Sequence, residues 1–276
     1  MRAAVDFGLT NTDVIVQRTD GTLQQCMVPS IGRVDAQQLE CVLAAAGYEL
    51  GDFNHIAVTG GKHRKLPPQI GNVHITGINE VTAIGRGGLH LSGYSEALVV
   101  SAGSGTAMVA AHTGEYHHAT GSAVGGGTLQ GLGKLLLGTA DAPTIDALAL
   151  QGDSNGVDVT LLEATGGVLG RLPADANAVN FGRVARLDQD QPDWLPRRED
   201  VAAGLVLMIG QVIAVIAINA ARAEGLQHIV VVGHVVDLPS VRRVLNTVAG
   251  YYQASIIVPD KPGSATAIGA LMSDLT

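Results

Sequence analysis

Aromatic side chains are scarce in this chain, with three Phe, one Trp and five Tyr among 276 residues. A protein this poor in rings and carrying 36 glycines closes its turns tightly and packs helices close together. That favours sites in which backbone, more than side chain, does the binding. Cysteine is nearly absent too: Cys26 and Cys41 lack metal-ligand spacing and follow no secretory signal. A disulfide framework is thereby excluded, and a reduced, cytoplasmic setting is expected. Positive charge is also in deficit. With 17 Lys and Arg against 25 Asp and Glu, the formal net charge is −8, which excludes broad contact with nucleic acid or an anionic membrane. No G-K-[ST] phosphate loop and no dinucleotide fingerprint occurs.

What remains is apolar and regular. Hydrophobic residues make up 46% and charged residues 15%, a composition of globular proteins with a substantial core. The length fits two domains or one large α/β domain. One stretch, VAAGLVLMIGQVIAVIAINAA at 201–221, is long enough to span a bilayer core of about 30 Å. Gln211, Asn219 and the many Ala and Gly favour a helix buried in protein instead, so no membrane partner is expected.

The first part of the chain predicts strands at 2–7, 13–18 and 22–28, with a DG hairpin turn at 20–21. A helix at 35–47, strands at 55–59 and 72–76, and a helix at 79–91 follow. After SGYS at 92–95 the opening plan returns: EALVVSAGSGTAMVAAHTGEYHHATG is again strand, Gly/Thr turn, strand, turn, strand. The design is duplicated, though not the letters. A glycine-rich helix start at 121–139, a mixed polar region at 140–198, the long apolar helix and alternating strands and helices complete the chain. Two related α/β domains, 1–93 and 94–276, are expected to face each other across a ligand cleft.

Three features bear on chemistry. The turns GLTNT (8–12) and GSGT (103–106) are suited to gripping a polyphosphate from two sides through backbone N–H groups and the hydroxyls of Thr10, Ser104 and Thr106. Gly and Thr are also simply good turn residues. Gly125, Gly126 and Gly127 open an apolar helix whose N-terminal N–H groups suit an anion, or else serve close backbone packing. Asn79 caps a helix and puts Glu80 in its first turn, where the dipole favours a carboxylate able to act as general base; alternatively Glu80 is an ordinary helix-start residue. His117 and His118, adjacent on a strand, point to opposite faces and make no metal site.

The order DFGLTNTD, VTGG (58–61), NEVTAIGRGG, SAGSGT, GGGTLQGLGKLL, VNFGRV (179–184), VVVGH and SATAIGALM resembles the type II pantothenate kinases. These belong to the superfamily of sugar kinases, actin and heat-shock chaperones, and the likeness runs over nearly the whole chain. It implies an α/β fold of two ribonuclease-H-like domains flanking a nucleotide cleft, as in actin-like ATPases. It implies transfer of the γ-phosphate of ATP, with Mg2+, to the primary hydroxyl of pantothenate or a similar small alcohol, and a homodimer. By the resemblance Glu80 is the base and Asp6 orients the metal. By the same resemblance Ser104, Gly125, Gly126, Gly127 and Thr128 contact the nucleotide, and Gly8, Thr10, Gly105 and Thr106 of the two turns are expected to join them.

The chain departs from the family at telling places. The family's first turn is similar to D-x-G-G-T-x-x-K, whereas here Leu9 takes the place of the second Gly and Asp13 that of the Lys. His118 stands where an arginine lies beside the substrate, Ala142 where a tyrosine flanks the nucleotide, and His234 where a small hydroxyl residue follows VVVG. At about 6 Å and an effective dielectric of about 20, one charge pair is worth about 3 kcal/mol. Replacing Lys by Asp therefore opposes ATP unless a cation is supplied elsewhere. Lys65, in the basic run GGKHRK (60–65), is one source, although such a run also reads as a solvated loop. The alternative to a kinase is a catalytically impaired homologue that binds a nucleotide, a coenzyme A-type ligand or a protein partner.

Overall fold

The structure, a computed structural model, describes residues 1–186 and 195–273. Positions 187–194 of the expected polar region, and 274–276, lie outside the described residues. Short apolar runs, buried on both faces in β1 and β2, set up an antiparallel meander of β1 (Arg2–Phe7), β2 (Asn11–Gln17) and β3 (Leu23–Pro29). There follow α1 (Ala36–Ala45), β4 (His55–Gly60), β5 (Gln69–Ile70), β6 (Val73–Gly77) and α2 (Glu80–Ser92). The first sheet has the order β3-β2-β1-β4-β6-β5, and β1, β4 and β6 run parallel.

Gly93, at φ +74°, ends α2 in the left-handed form that only glycine adopts without strain. Beyond it the plan repeats with β7 (Glu96–Ala102), β8 (Thr106–His112) and β9 (Glu115–Ser122). Next come α3 (Gly126–Leu137), α4 (Ala142–Ala149), β10 (Val159–Thr160), α5 (Leu161–Thr165), β11 (Asn177–Val179), α6 (Gly182–Arg186) and α7 (Arg198–Ala223). β12 (His228–Val232), α8 (Pro239–Tyr252), β13 (Ser255–Ile257) and α9 (Ala265–Ser273) close the chain. The second sheet reads β13-β12-β7-β8-β9. Both sheets thus place an antiparallel meander beside parallel strands in the same order, which is the duplication expected from the two Gly/Thr turns. The glycine-rich helix is shorter than 121–139, because Gly121 and Ser122 still pair with Ala107 and Thr106 and leave α3 to begin at Gly126.

Packing locks the two halves together. α1, capped by Asp35 accepting from the Gln38 amide, lays Leu39, Val42 and Leu43 on one face of the first sheet. α7 buries Leu205, Ile209 and Ile213 against the second sheet and α8, each worth about 1.5–3 kcal/mol relative to exposure. Among the described residues α7 is the one helix long and apolar enough to cross a membrane, and 67% of its most apolar stretch is buried. Between the sheets, α2 covers the second and α9 the first. These helices cross where Gly87 lies on the Ala265 carbonyl and Gly269 on the Ala83 carbonyl, so closely that neither position has room for a Cβ. The turns at the ends of β1 and β7 are thereby brought face to face.

Candidate active site

The turn after β1 leaves the ladder at Phe7, whose partner is Thr12. The turn after β7 leaves at Ala102, whose partner is Thr106. Their tips meet: the hydroxyls of Thr10 and Ser104 hydrogen-bond at 2.6 Å. Beneath them lies a cavity of about 160 Å³, open to solvent, whose walls include Asp6, Gly8, Asp13, Gly126, Ala142 and His234.

Asp6 and Asp13 are cross-strand partners on β1 and β2, so both side chains project from one face of the sheet. Burial, followed by the nearby charges of Asp13 and Glu80, pushes the Asp6 carboxyl up to about 7, while His234 pulls the other way. Glu80 is exposed in the first turn of α2, and Asn79 accepts from the Val81 amide at 2.9 Å as the helix cap. A carboxylate held among other anions has a strong electrostatic reason to bind a cation. Among the described residues no group of three His, Cys, Asp or Glu is arranged as a metal cage. Asp6 is the carboxylate that would hold a magnesium ion here, were one brought in with a polyphosphate.

The glycine triplet behaves differently from a free anion cradle. The Gly126 amide donates to the Gly103 carbonyl at 2.8 Å and the Gly127 amide to the Ser104 carbonyl at 2.9 Å. A Cβ on Gly125 would stand 2.8 Å from both of those carbonyl oxygens. Close backbone packing, the alternative raised by the sequence, thus explains the triplet: it fastens α3 to the turn after β7. The amides of Gly126 and Gly127 are engaged by protein in this conformation, and these residues face the cavity as small walls. Thr106 donates to the Val124 carbonyl at 2.8 Å, and the Thr128 hydroxyl donates to the Ala123 carbonyl at 3.2 Å. Gly105, Thr106, Gly125 and Thr128 shape the site without lining the cavity. His118 is exposed on β9, paired with Val109, and also lies outside the cavity lining. Lys65 is exposed in the short helical turn 63–65 and is likewise not brought there.

What sequence reasoning missed is a pair across the cleft. His234 Nε2 lies 3.0 and 3.1 Å from the two oxygens of Asp13, and Nδ1 lies 2.9 Å from Asp237. Carboxylates only accept, so both ring nitrogens carry hydrogen and the ring is an imidazolium. Hydrogen bonds to Asp13 and then Asp237 push its pKa up to about 10 against the opposing effect of burial. A signal existed in the sequence: two departures from one pattern, an acid gained and a basic ring gained, lie 221 residues apart yet compensate each other.

A second cavity, of about 360 Å³, lies against the paired strands β4 and β6 and includes His63, Arg64, Leu66 and Asn79 in its walls. His63 Nδ1 lies 2.6 Å from the Gly60 carbonyl. A Cβ on Gly60 would approach an Asp6 oxygen at 2.7 Å, so the β4 end abuts the floor of the first cavity.

The fold defines the class: this is an actin-like architecture of the ATPase and sugar-kinase type. The activator of 2-hydroxyisocaproyl-CoA dehydratase from Clostridium difficile, solved with bound ADPNP, superposes with a TM-score of 0.67 over 99% of this chain and 93% of its own, at 16% identity. A putative N-acetylglucosamine kinase from Porphyromonas gingivalis gives 0.54 over the whole of both chains, at 14% identity. In sequence, the Fumble family profile matches residues 94–272, well over half of the chain. A type II pantothenate kinase of Bacillus cereus is 27% identical over 79% of both chains, and one of Staphylococcus haemolyticus is 28% identical over 66% of this chain and 68% of its own. The chain belongs to the Fumble, or type II pantothenate kinase, family as a divergent member.

Proposed function

We propose that this protein is an ATP-dependent kinase that phosphorylates the primary hydroxyl of pantothenate or a similar small alcohol. The observation that carries the reading is the meeting of the two turns at Thr10 and Ser104 above Asp6, in a member of a kinase family. ATP would lie under these turns as the phosphoryl donor, with Mg2+ offsetting its charge. Gly8, Thr10, Ser104, Gly126 and Gly127 are the proposed phosphate walls, and Asp6 the metal-orienting carboxylate. Glu80 takes the proton as the acceptor oxygen bonds to the γ-phosphorus and the bridging oxygen leaves with ADP. The second cavity is the proposed acceptor room. Asn79 in its wall is the residue before Glu80, and Arg64 gives it a fixed positive charge, which suits an anionic acceptor such as pantothenate. We take 1–93 and 94–276 as the working lobes and a homodimer as the working assembly.

A coupled assay with ATP, magnesium and pantothenate tests the reading. Turnover is expected, and Glu80→Gln is expected to lower kcat by about 10²–10⁴ while leaving ADPNP binding intact. Binding of ADPNP without turnover on pantothenate or related alcohols would instead favour the impaired homologue. The loss of a β2 cation at Asp13 and the exposed Leu9 are what speak for that second reading.

A further inference from the structure

Side chains around the main cavity are short of positive charge. Its described lining contains Asp6 and Asp13 but neither lysine nor arginine, and His234 is its one cationic group. Glu80 adds to the anionic field felt by Asp6, and Asp237 holds the far side of the His234 ring. A polyphosphate entering such a cleft meets net repulsion unless it finds this ring.

The ring has a built seat. Gly233, at φ +96°, turns the chain out of β12, and its amide donates to the Pro262 carbonyl at 2.8 Å. Gly263 lies directly against the ring, where a Cβ would collide with it. The ring is thus held between two loops of the second half and reaches a strand of the first. Its side chain keeps 29% of its surface exposed, against 9% for Asp13.

We propose that His234 is the phosphate-facing cation of the cleft, and that Asp13 is its internal counter-ion, which an incoming phosphate displaces from Nε2. This rests on the nucleotide reading above. Asp237 keeps hold of Nδ1 throughout, so the ring stays oriented while one anion replaces another. Asp13 then acts as a competitor for the ligand, and removing its charge strengthens binding, whereas removing the ring weakens it. A purely structural clasp makes no such distinction, because either loss breaks the same contact.

The test is calorimetric titration of the full chain with magnesium and ADPNP, with circular dichroism to confirm folding of each variant. With His234→Gln the dissociation constant is expected to rise by about 10-fold or more, and with Asp13→Asn to fall by about 10-fold, which is one charge interaction discounted for solvent. His234→Lys, which keeps a cation in place, is expected to stay within about 3-fold of the parent. These opposite signs support the assignment. Unchanged affinity in His234→Gln, or weaker binding in Asp13→Asn, overturns it and leaves the kinase reading standing. If the parent itself binds no ADPNP, the nucleotide reading falls and this assignment with it. Should His234→Gln fail to fold, the sign of the Asp13→Asn effect decides.

Discussion

The turn after β1 and the turn after β7 hold matching places in two sheets of the same strand order, yet they are built differently. The second is fastened from behind: Gly126 and Gly127 donate to Gly103 and Ser104, and neither Gly125 nor Gly126 has room there for a Cβ. The first is held from outside by a single backbone bond, from the Ser30 amide to the Thr10 carbonyl at 2.8 Å. Leu9 at its tip is 76% exposed, and its strand carries Asp13 tied to a histidine from the other half. A turn clamped by backbone at several points tolerates little change. A turn held by one backbone bond and by side-chain contacts can exchange its charges while keeping its outline.

The largest expected effect breaks the stronger clamp. In Gly125→Val the new side chain must displace the carbonyls of Gly103 and Ser104, 2.8 Å from a Cβ, so α3 has to move. A loss of about 3 kcal/mol or more of unfolding free energy is expected from urea titration, together with loss of ADPNP binding. A variant that keeps parental stability would show that the clamp can relax, and the contrast between the turns would fail.

The weaker clamp comes next. Removing one partner of a well-buried ion pair costs about 3–5 kcal/mol; with His234 partly exposed, about 2 kcal/mol is expected for His234→Ser. Asp13→Lys combined with His234→Ser moves the cation onto β2. The double variant is expected to recover more than about 1 kcal/mol relative to the sum of the single changes, and to bind ADPNP at least as well as the parent. Simple additivity would mean that the pair does not join the two halves. The pH dependence follows the sign of the His234 shift. Its folded pKa of about 10 lies above the usual 6.5, so the stabilisation is complete below about pH 6.5. It is lost as the pH rises toward 10. Melting curves of parent and His234→Gln should therefore converge between pH 7 and about 10, and a gap that stays constant would remove the charge from the account.

Much of this contrast was legible before any coordinates. An apolar run ending at a Gly/Thr turn placed β1 at 2–7, the Asn79 cap placed the start of α2, and the repeated Gly/Thr turns announced two sheets of one design. Local rules sufficed there, because strand pairing and capping are decided by neighbours in the chain. Whether the Gly126 amide is free or engaged is a different kind of fact. It depends on the carbonyl of Gly103, a partner that only the packing of α3 brings near. The pairing of Asp13 with His234 is more distant still, so the acid read as a bare reversal of charge. The sequence points for a compensating cation to Lys65, in the basic run GGKHRK, which is exposed outside the cavity lining.

The smallest expected effect concerns Leu9, and it separates outline from chemistry most cleanly. With 76% of its surface exposed, Leu9 contributes little burial, so Leu9→Gly should cost only about 0.5–1 kcal/mol, chiefly through the greater freedom of the unfolded chain. The missing side chain, on the other hand, lets a phosphate approach the turn's amides closely. An ADPNP dissociation constant about 3-fold lower is expected, a gain of about 0.6 kcal/mol. Weaker binding would mean that the leucine itself touches the ligand. The first turn would then be specialised for an apolar group, not merely relaxed from a phosphate-gripping form, and its difference from the turn after β7 would be one of purpose as well as of fastening.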